Sequence, residues 1–162
     1  MTEAETKKLL NYAYRLLARQ DYSEHKLRQK LKLRAELLEC GEEQINQVIE
    51  TLNQQGFLRE DNYRNMKIKM RLKQGKGKRI IQGELSSEKL KLEESHLEQA
   101  YLELGTTSDE ILEGLVEKKL RKVNKEELNF EEKMKLKNKI LSFLARNGHS
   151  FEAGQRILKK FL

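Results

Sequence analysis

Proline and tryptophan are absent from this chain of 162 residues, and only nine glycines occur in it. With so little Pro and Gly, few residues would interrupt a helix, and few would form the turns that separate strands in β-rich proteins. Charged residues make up 36% of the chain and aromatic residues only 6%, so the core must come mainly from Leu, Ile and Val. We therefore predict an all-α protein.

Cysteine and long apolar runs are scarce as well. Cys40 is the only cysteine, which excludes an internal disulfide and favours a reducing compartment. No stretch approaches the roughly 18 apolar residues that a membrane span needs, and the first residues lack the apolar core of a signal peptide. We expect a soluble cytoplasmic protein with no membrane partner.

The sequence contains no recognisable catalytic pattern. His25, His96 and His149 lie on different predicted elements, and none has a cysteine or second histidine at the spacing of metal ligands. The GKGK segment at residues 75–78 lacks the preceding strand and the glycine-lysine-serine/threonine ending of a nucleotide-binding loop. We predict that the protein is not an enzyme and carries no cofactor or metal.

Apolar residues recur at three- and four-residue spacings in about nine segments, which predicts nine helices. Part of this pattern repeats: Leu27 aligns with Ile81 at a shift of 54 residues, and Ile45 aligns with Leu97 at a shift of 52. A repeat of this length is typical of stacked helical units. We predict an elongated all-α stack of three tandem three-helix repeats, helix-turn-helix-like in character, at residues 1–58, 59–105 and 106–162.

Local patterns give more detailed expectations. Ser23 and Ser150 each follow a Leu-Ala-Arg sequence and are predicted helix N-caps, and Gly56 is the predicted left-handed cap of the third helix. Because no apolar stripe is left over once nine helices are formed, we expect a monomer. In the fourth helix the expected buried stripe is Tyr63, Met66 and Met70.

Positive charge is concentrated in one stretch. Residues 64–79 hold eight basic side chains and no acidic one, and residues 55–92 account for the whole net charge of +7. Such an excess predicts a polyanion-binding surface, because each phosphate neutralised by Lys or Arg releases condensed counterions. The candidates in this run are Arg64, Lys67, Arg71, Lys73, Lys76, Lys78 and Arg79, and the row Lys26, Lys30 and Arg34 is a second candidate for phosphate contact.

Four segments of the chain resemble the RecX regulatory proteins in order and spacing. They are residues 16–31 (LLARQDYSEHKLRQKL), 56–63 (GFLREDNY), 71–85 (RLKQGKGKRIIQGEL) and 137–150 (KNKILSFLARNGHS). The resemblance implies tandem three-helix repeats and a bacterial cytoplasmic protein that modulates, usually by inhibiting, the RecA recombinase. It further implies binding in the helical groove of the RecA filament on single-stranded DNA, with suppression of ATP hydrolysis and strand exchange.

The chain departs from the family pattern at a few positions. Lys78 stands where a proline commonly follows the second glycine, and Arg64 stands where an alanine is usual. The acidic pair after the Gly-Phe-Leu motif is shifted by one residue, to Glu60 and Asp61. These changes make the middle repeat more basic and favour a larger contribution of the DNA backbone to binding.

The leading hypothesis is a non-catalytic modulator of the RecA filament that meets single-stranded DNA without reading its sequence. An alternative is a helix-turn-helix-like regulator of transcription that places its fifth helix in the major groove of duplex DNA. A scaffold that binds only proteins is a third possibility, and it would show no salt-sensitive affinity for nucleic acid.

Overall fold

The computed structural model describes residues 3–162, and within them it contains nine α-helices, one short 3₁₀ turn and no strand. The all-α prediction and the predicted number of helices are confirmed. The helices are α1 (Glu3–Arg19), α2 (Glu24–Leu37), α3 (Glu42–Gln54), α4 (Glu60–Lys73), α5 (Lys78–Ser87), α6 (Glu94–Leu104), α7 (Ser108–Leu120), α8 (Phe130–Arg146) and α9 (Phe151–Leu158). None of the helices in this part of the chain is long and apolar enough to cross a membrane.

Side-chain caps begin several helices, among them those at the predicted N-caps Ser23 and Ser150. The hydroxyl oxygens of Ser23, Thr107 and Ser150 each accept a hydrogen bond from the backbone amide three residues later, at 3.1 to 3.2 Å. Each bond satisfies one of the amides that an α-helix leaves unpaired at its start. Gly56, just beyond α3, has a φ of +73°, which confirms the predicted left-handed cap.

The chain divides into two compact units, and the described part of the first is residues 3–66 and 87–90. In it α1, α2 and α3 pack against one another. The helical spacing of Leu27, Leu31 and Ala35 on α2 and of Ile45, Val48, Ile49 and Leu52 on α3 predicts one buried stripe on each helix, and all seven residues are buried. The core consists of Leu9, Ala13, Tyr22, Leu27, Leu31, Ala35, Ile45, Val48, Ile49 and Leu52.

The second unit consists of residues 67–86 and 91–162. In it α7, α8 and α9 pack against one another around Leu112, Val116, Leu120, Ile140, Leu144, Ile157 and Leu158. Buried aliphatic residues of α4, α5 and α6 also belong to this unit, among them Leu72, Ile81 and Leu97. The repeat boundaries at residues 58 and 105 stay a prediction.

The predicted stripe of α4 is wrong in part. Tyr63 is buried, but Met66 and Met70 are each 41% exposed, and the buried aliphatic residues of this helix are Ile68 and Leu72. The sequence offers two apolar rows at four-residue spacing in α4, and the helix is rotated so that the row of Ile68 and Leu72 faces inward. The methionines are therefore left at the surface.

Apolar side chains are also exposed to solvent on α2. Leu33 and Leu37 lie one turn apart and are 67% and 76% exposed. The expectation that every apolar stripe would be used in the nine helices is wrong, so it no longer supports a monomer. The monomeric state itself stays a prediction.

Candidate polyanion-binding surface

The basic run predicted from the sequence lies on two helices and the turn between them. Arg64, Lys67, Arg71 and Lys73 are on α4, Lys76 is in the turn, and Lys78 and Arg79 begin α5. Lys67 is only 8% exposed. Its ammonium group is therefore badly placed to meet a phosphate from solvent, and we leave Lys67 out of the candidate surface.

At least four basic residues of this run form ion pairs with acidic residues that lie outside it. The pairs are Arg64–Asp61 at 2.8 Å, Lys69–Glu103 at 3.2 Å, Arg71–Glu84 at 2.6 Å and Lys78–Glu94 at 3.2 Å. Three of the four acidic residues lie after the run in the sequence, and the fold brings them next to it. The run therefore presents less positive charge to a ligand than the sequence alone indicates.

The turn between α4 and α5 is held against the turn between α8 and α9. The backbone amide of Gly77 donates to the carbonyl of Asn147 at 2.7 Å, and the amide of Arg79 donates to the carbonyl of Gly148 at 3.2 Å. A Cβ atom on Gly77 would lie 2.5 Å from the Gly148 carbonyl oxygen, which no side-chain rotation could relieve. We call this contact between residues 75–79 and 145–149 the turn clasp.

Side chains add to the turn clasp. The Arg79 guanidinium donates to the carbonyl of Ala145 at 2.6 Å, and the Lys76 ammonium donates to Oδ1 of Asn147 at 2.9 Å. Ala145 is in the last turn of α8, and its carbonyl oxygen also accepts from the Gly148 amide at 3.0 Å. Arg79 therefore adds a positive charge at the carbonyl end of this helix, where a cation is stabilising. Lys76 and Arg79 thus have structural partners as well as positive charge.

His149 belongs to the same clasp. Its Nε2 lies 2.8 Å from the carbonyl oxygen of Gly75, so this nitrogen carries the proton and donates. Burial lowers the pKa of His149 from its usual range, while the hydrogen bond to Gly75 opposes part of that shift. The histidine therefore acts as a neutral link between the two turns.

The clasp also explains the glycines of the GKGK segment. In a phosphate-binding loop the backbone amides point at the ligand. Here the amides of Gly77 and Arg79 are already paired with carbonyls of the opposite turn. Gly77 allows the close packing of the two turns, and Gly75 has a left-handed φ of +81°, in agreement with the rejection of a nucleotide-binding loop on sequence grounds.

Several candidate residues stay accessible. Lys73 in the second unit and Lys26 and Lys30 in the first are exposed. Lys78 and its partner Glu94 have side chains that are 56% and 67% exposed, and ion pairs at such positions contribute little free energy. A phosphate can therefore replace Glu94 at small cost. Arg34 is half-buried, with its guanidinium 5.0 Å from the centre of the Tyr12 ring.

Sequence reasoning missed a group of basic residues near the end of α8. The Lys119 ammonium lies 4.1 Å from the centre of the Phe143 ring. Lys139 and Arg146, four residues before and three after Phe143, are exposed and follow the same side of α8. They were overlooked because residues 93–162 carry no net charge, although the spacing of Lys139 and Arg146 on a predicted helix could have revealed them.

No group of three or more His, Cys, Asp or Glu side chains that could hold a metal ion is found in residues 3–162. His96 instead accepts a hydrogen bond at Nδ1 from the Glu93 amide at 3.0 Å, and so helps to begin α6.

Comparison with known proteins finds similarity at the level of structure. No protein-family model matches the chain, and no curated protein sequence matches it. The crystal structure of RecX from Lactobacillus salivarius matches with a TM-score of 0.74 and 22% sequence identity, covering 98% of this chain and 97% of that one. A second crystal structure, of a regulatory protein RecX, matches with a TM-score of 0.71 and 19% identity, covering 96% of this chain and 72% of that one. The chain therefore has the fold of the RecX crystal structures.

Proposed function

We propose that the protein regulates the RecA recombinase. It binds the RecA filament on single-stranded DNA in the helical groove and inhibits ATP hydrolysis and strand exchange, and so regulates DNA repair and recombination. In this proposal it acts by binding, performs no chemistry of its own and works in the cytoplasm, where bacterial RecA filaments form.

The observation that carries the proposal is the match to a RecX structure over nearly the whole of both chains. The sequence motifs agree with it, because two of the four segments that resemble RecX, residues 71–85 and 137–150, meet in the turn clasp. Their amides and carbonyls pair directly across the two turns. The resemblance in sequence therefore coincides with a specific packing contact, which unrelated helical proteins have no reason to share.

The exposed basic residues supply the contacts that this function needs. In the second unit they are Lys73, Lys78, Lys119, Lys139 and Arg146. Contacts from Lys and Arg to phosphate position a protein on nucleic acid without reading its sequence. We therefore expect sequence-tolerant binding that weakens steeply as salt is added.

The direct test is ATP hydrolysis by RecA on single-stranded DNA with this protein titrated in. We expect suppression well below one protein per RecA, because a protein in the groove affects several RecA subunits. The variant Lys73→Glu/Lys78→Glu/Arg146→Glu should inhibit much less. A control with the same change of charge is Lys7→Glu/Lys32→Glu/Lys159→Glu, in which all three lysines are exposed.

The outcomes separate the function from the site. No suppression at equimolar folded protein would contradict the proposed function. Equal inhibition by the two triple variants would leave the function standing and reject these residues as the contact surface. A preferred duplex sequence in competition assays would instead favour a transcriptional regulator. The clasp speaks against α5 as a recognition helix, since its first turn is already engaged with residues 145–148.

A further inference from the structure

A groove in the first unit combines positive charge with an ordered arrangement of guanidinium groups. It lies between α1 and α2, has a volume of about 520 Å³ and is lined by Lys8, Asn11, Arg15, Arg34 and Leu38. Three of these five residues are cationic and none is acidic. Of the five, only Arg34 belongs to the basic rows that the sequence analysis selected.

The two arginines of the groove are positioned by one aromatic ring. The guanidinium carbons of Arg15 and Arg34 lie 5.9 and 5.0 Å from the centre of the Tyr12 ring. A cation at this distance from an aromatic face is attracted to it, which restricts an otherwise flexible side chain. Part of the entropy that arginine loses on binding a ligand is therefore already lost in the free protein.

The three cationic residues of the groove have no acidic partner in the described chain. No ion pair joins Lys8, Arg15 or Arg34 to an acidic side chain of residues 3–162, in contrast to Arg64, Arg71 and Lys78. Lys8, Asn11 and Arg15 follow one side of α1 over seven residues, a rise of about 10 Å. A row of this length suits successive anionic groups better than one small anion.

We propose that this groove binds the sugar–phosphate backbone of single-stranded DNA. Arg15 and Arg34 hold phosphate oxygens through paired N–H donors, a geometry that the planar guanidinium favours. Lys8 contacts a further phosphate, and the Asn11 amide hydrogen-bonds to the backbone or to a base. The choice of DNA as the polyanion rests on the proposed function, whereas the site itself rests on the groove and its cations.

The test uses the full-length protein without RecA, and a fluorescently labelled oligothymidylate as the probe. Replacing both arginines, in Arg15→Gln/Arg34→Gln, removes two phosphate contacts, each worth about 0.7 in the slope of log affinity against log salt for single strands. Between 50 and 200 mM salt the affinity of the wild type should therefore fall about sevenfold more than that of the variant. Lys8→Gln should show about half of this change in slope.

Two further variants control for charge and for folding. Lys7→Gln/Lys32→Gln removes the same charge from exposed positions on the same two helices that do not line the groove, and it should keep most of the salt dependence. Arg15→Lys/Arg34→Lys keeps the charge and should keep the slope while losing some affinity. Because Lys8 is exposed, the Lys8→Gln variant should fold and so tests the groove even if the double arginine variant unfolds.

The inference would be overturned by equal slopes for the groove and control variants, by an unchanged slope in Lys8→Gln, or by binding of polyglutamate as tight as that of DNA. Wild-type protein that inhibits RecA but does not bind oligothymidylate alone would also overturn it and leave the proposed function intact. Conversely, normal DNA binding through the groove without any effect on RecA would reject the proposed function and retain the site.

Discussion

Replacing Gly77 by alanine is the sharpest test of the turn clasp. The added Cβ would lie 2.5 Å from the carbonyl oxygen and 2.6 Å from the carbonyl carbon of Gly148. Carbon atoms prefer separations of about 3.5 to 4.0 Å, so the two turns must move apart by about 1 Å. Both atoms in conflict belong to the backbone, and no change of rotamer can avoid the movement.

The expected cost follows from the hydrogen bonds that this movement breaks. They are the bonds from the Gly77 amide to Asn147 at 2.7 Å, from the Arg79 amide to Gly148 at 3.2 Å and from His149 to Gly75 at 2.8 Å. At about 1 kcal/mol for each bond, Gly77→Ala should lower the free energy of unfolding by about 3 kcal/mol.

Urea denaturation followed by circular dichroism measures this loss. With a slope of about 2 kcal/mol per molar urea, the midpoint should fall by about 1.5 M. Gly83→Ala is the matched control, because Gly83 lies within α5 and a Cβ there meets nothing within 4 Å. It should stabilise the protein by about 0.5 to 1 kcal/mol, the usual gain of alanine over glycine in a helix. If Gly77→Ala proved as stable as Gly83→Ala, the close approach of the two turns would be refuted.

Two further predictions concern single side chains. Burial lowers the pKa of His149 in the folded protein, so the unfolded state binds a proton at this residue more readily. The protein should therefore lose stability as the pH falls from above 6.5, the pKa of His149 in the unfolded chain, toward its lower pKa in the folded protein. In the His149→Gln variant, the urea midpoint of unfolding should depend less on pH in this range. An unchanged dependence of the midpoint on pH would contradict the burial of the neutral ring. Ser23→Ala removes both the cap of α2 and a hydrogen bond from its hydroxyl to the buried Glu88, whereas Ser150→Ala removes only an exposed cap. Thermal melts should show Ser23→Ala to be the more destabilising by about 1 kcal/mol, and equal melting temperatures would count against the Ser23–Glu88 bond.

Features that depend on near neighbours in the chain could be predicted from the sequence. The caps at Ser23 and Ser150 require only a side-chain oxygen and an amide three residues away. The buried stripes of α2 and α3 follow from the helical repeat. The prediction for α4 was wrong in part because the row of Met66 and Met70 and the row of Ile68 and Leu72 have the same four-residue spacing. Only contacts with other helices decide which of the two rows is buried.

Features that depend on distant residues could not be predicted. The partners of Arg71 and Lys69 are 13 and 34 positions further along the chain, at Glu84 and Glu103. Counting charge in blocks of sequence hides such pairs and also hid the basic residues of α8, whose block is neutral overall. It likewise passed over the groove of Lys8 and Arg15, because their separation on α1 becomes meaningful only once α2 brings Arg34 beside them.

The departure of the chain from the RecX pattern at Lys78 acquires a physical meaning in the fold. Lys78 is the first residue of α5, a position at which proline is well tolerated because the amide there has no partner within the helix. The turn clasp uses the backbone amides of the two neighbours, Gly77 and Arg79. In the described part of the chain, no backbone carbonyl accepts a hydrogen bond from the amide of Lys78 itself. A proline would therefore satisfy the same backbone geometry. Lys78 forms an exposed ion pair with Glu94 that contributes little free energy, so we expect this lysine to serve mainly in binding, whereas the neighbouring Lys76 and Arg79 contribute to the clasp as well.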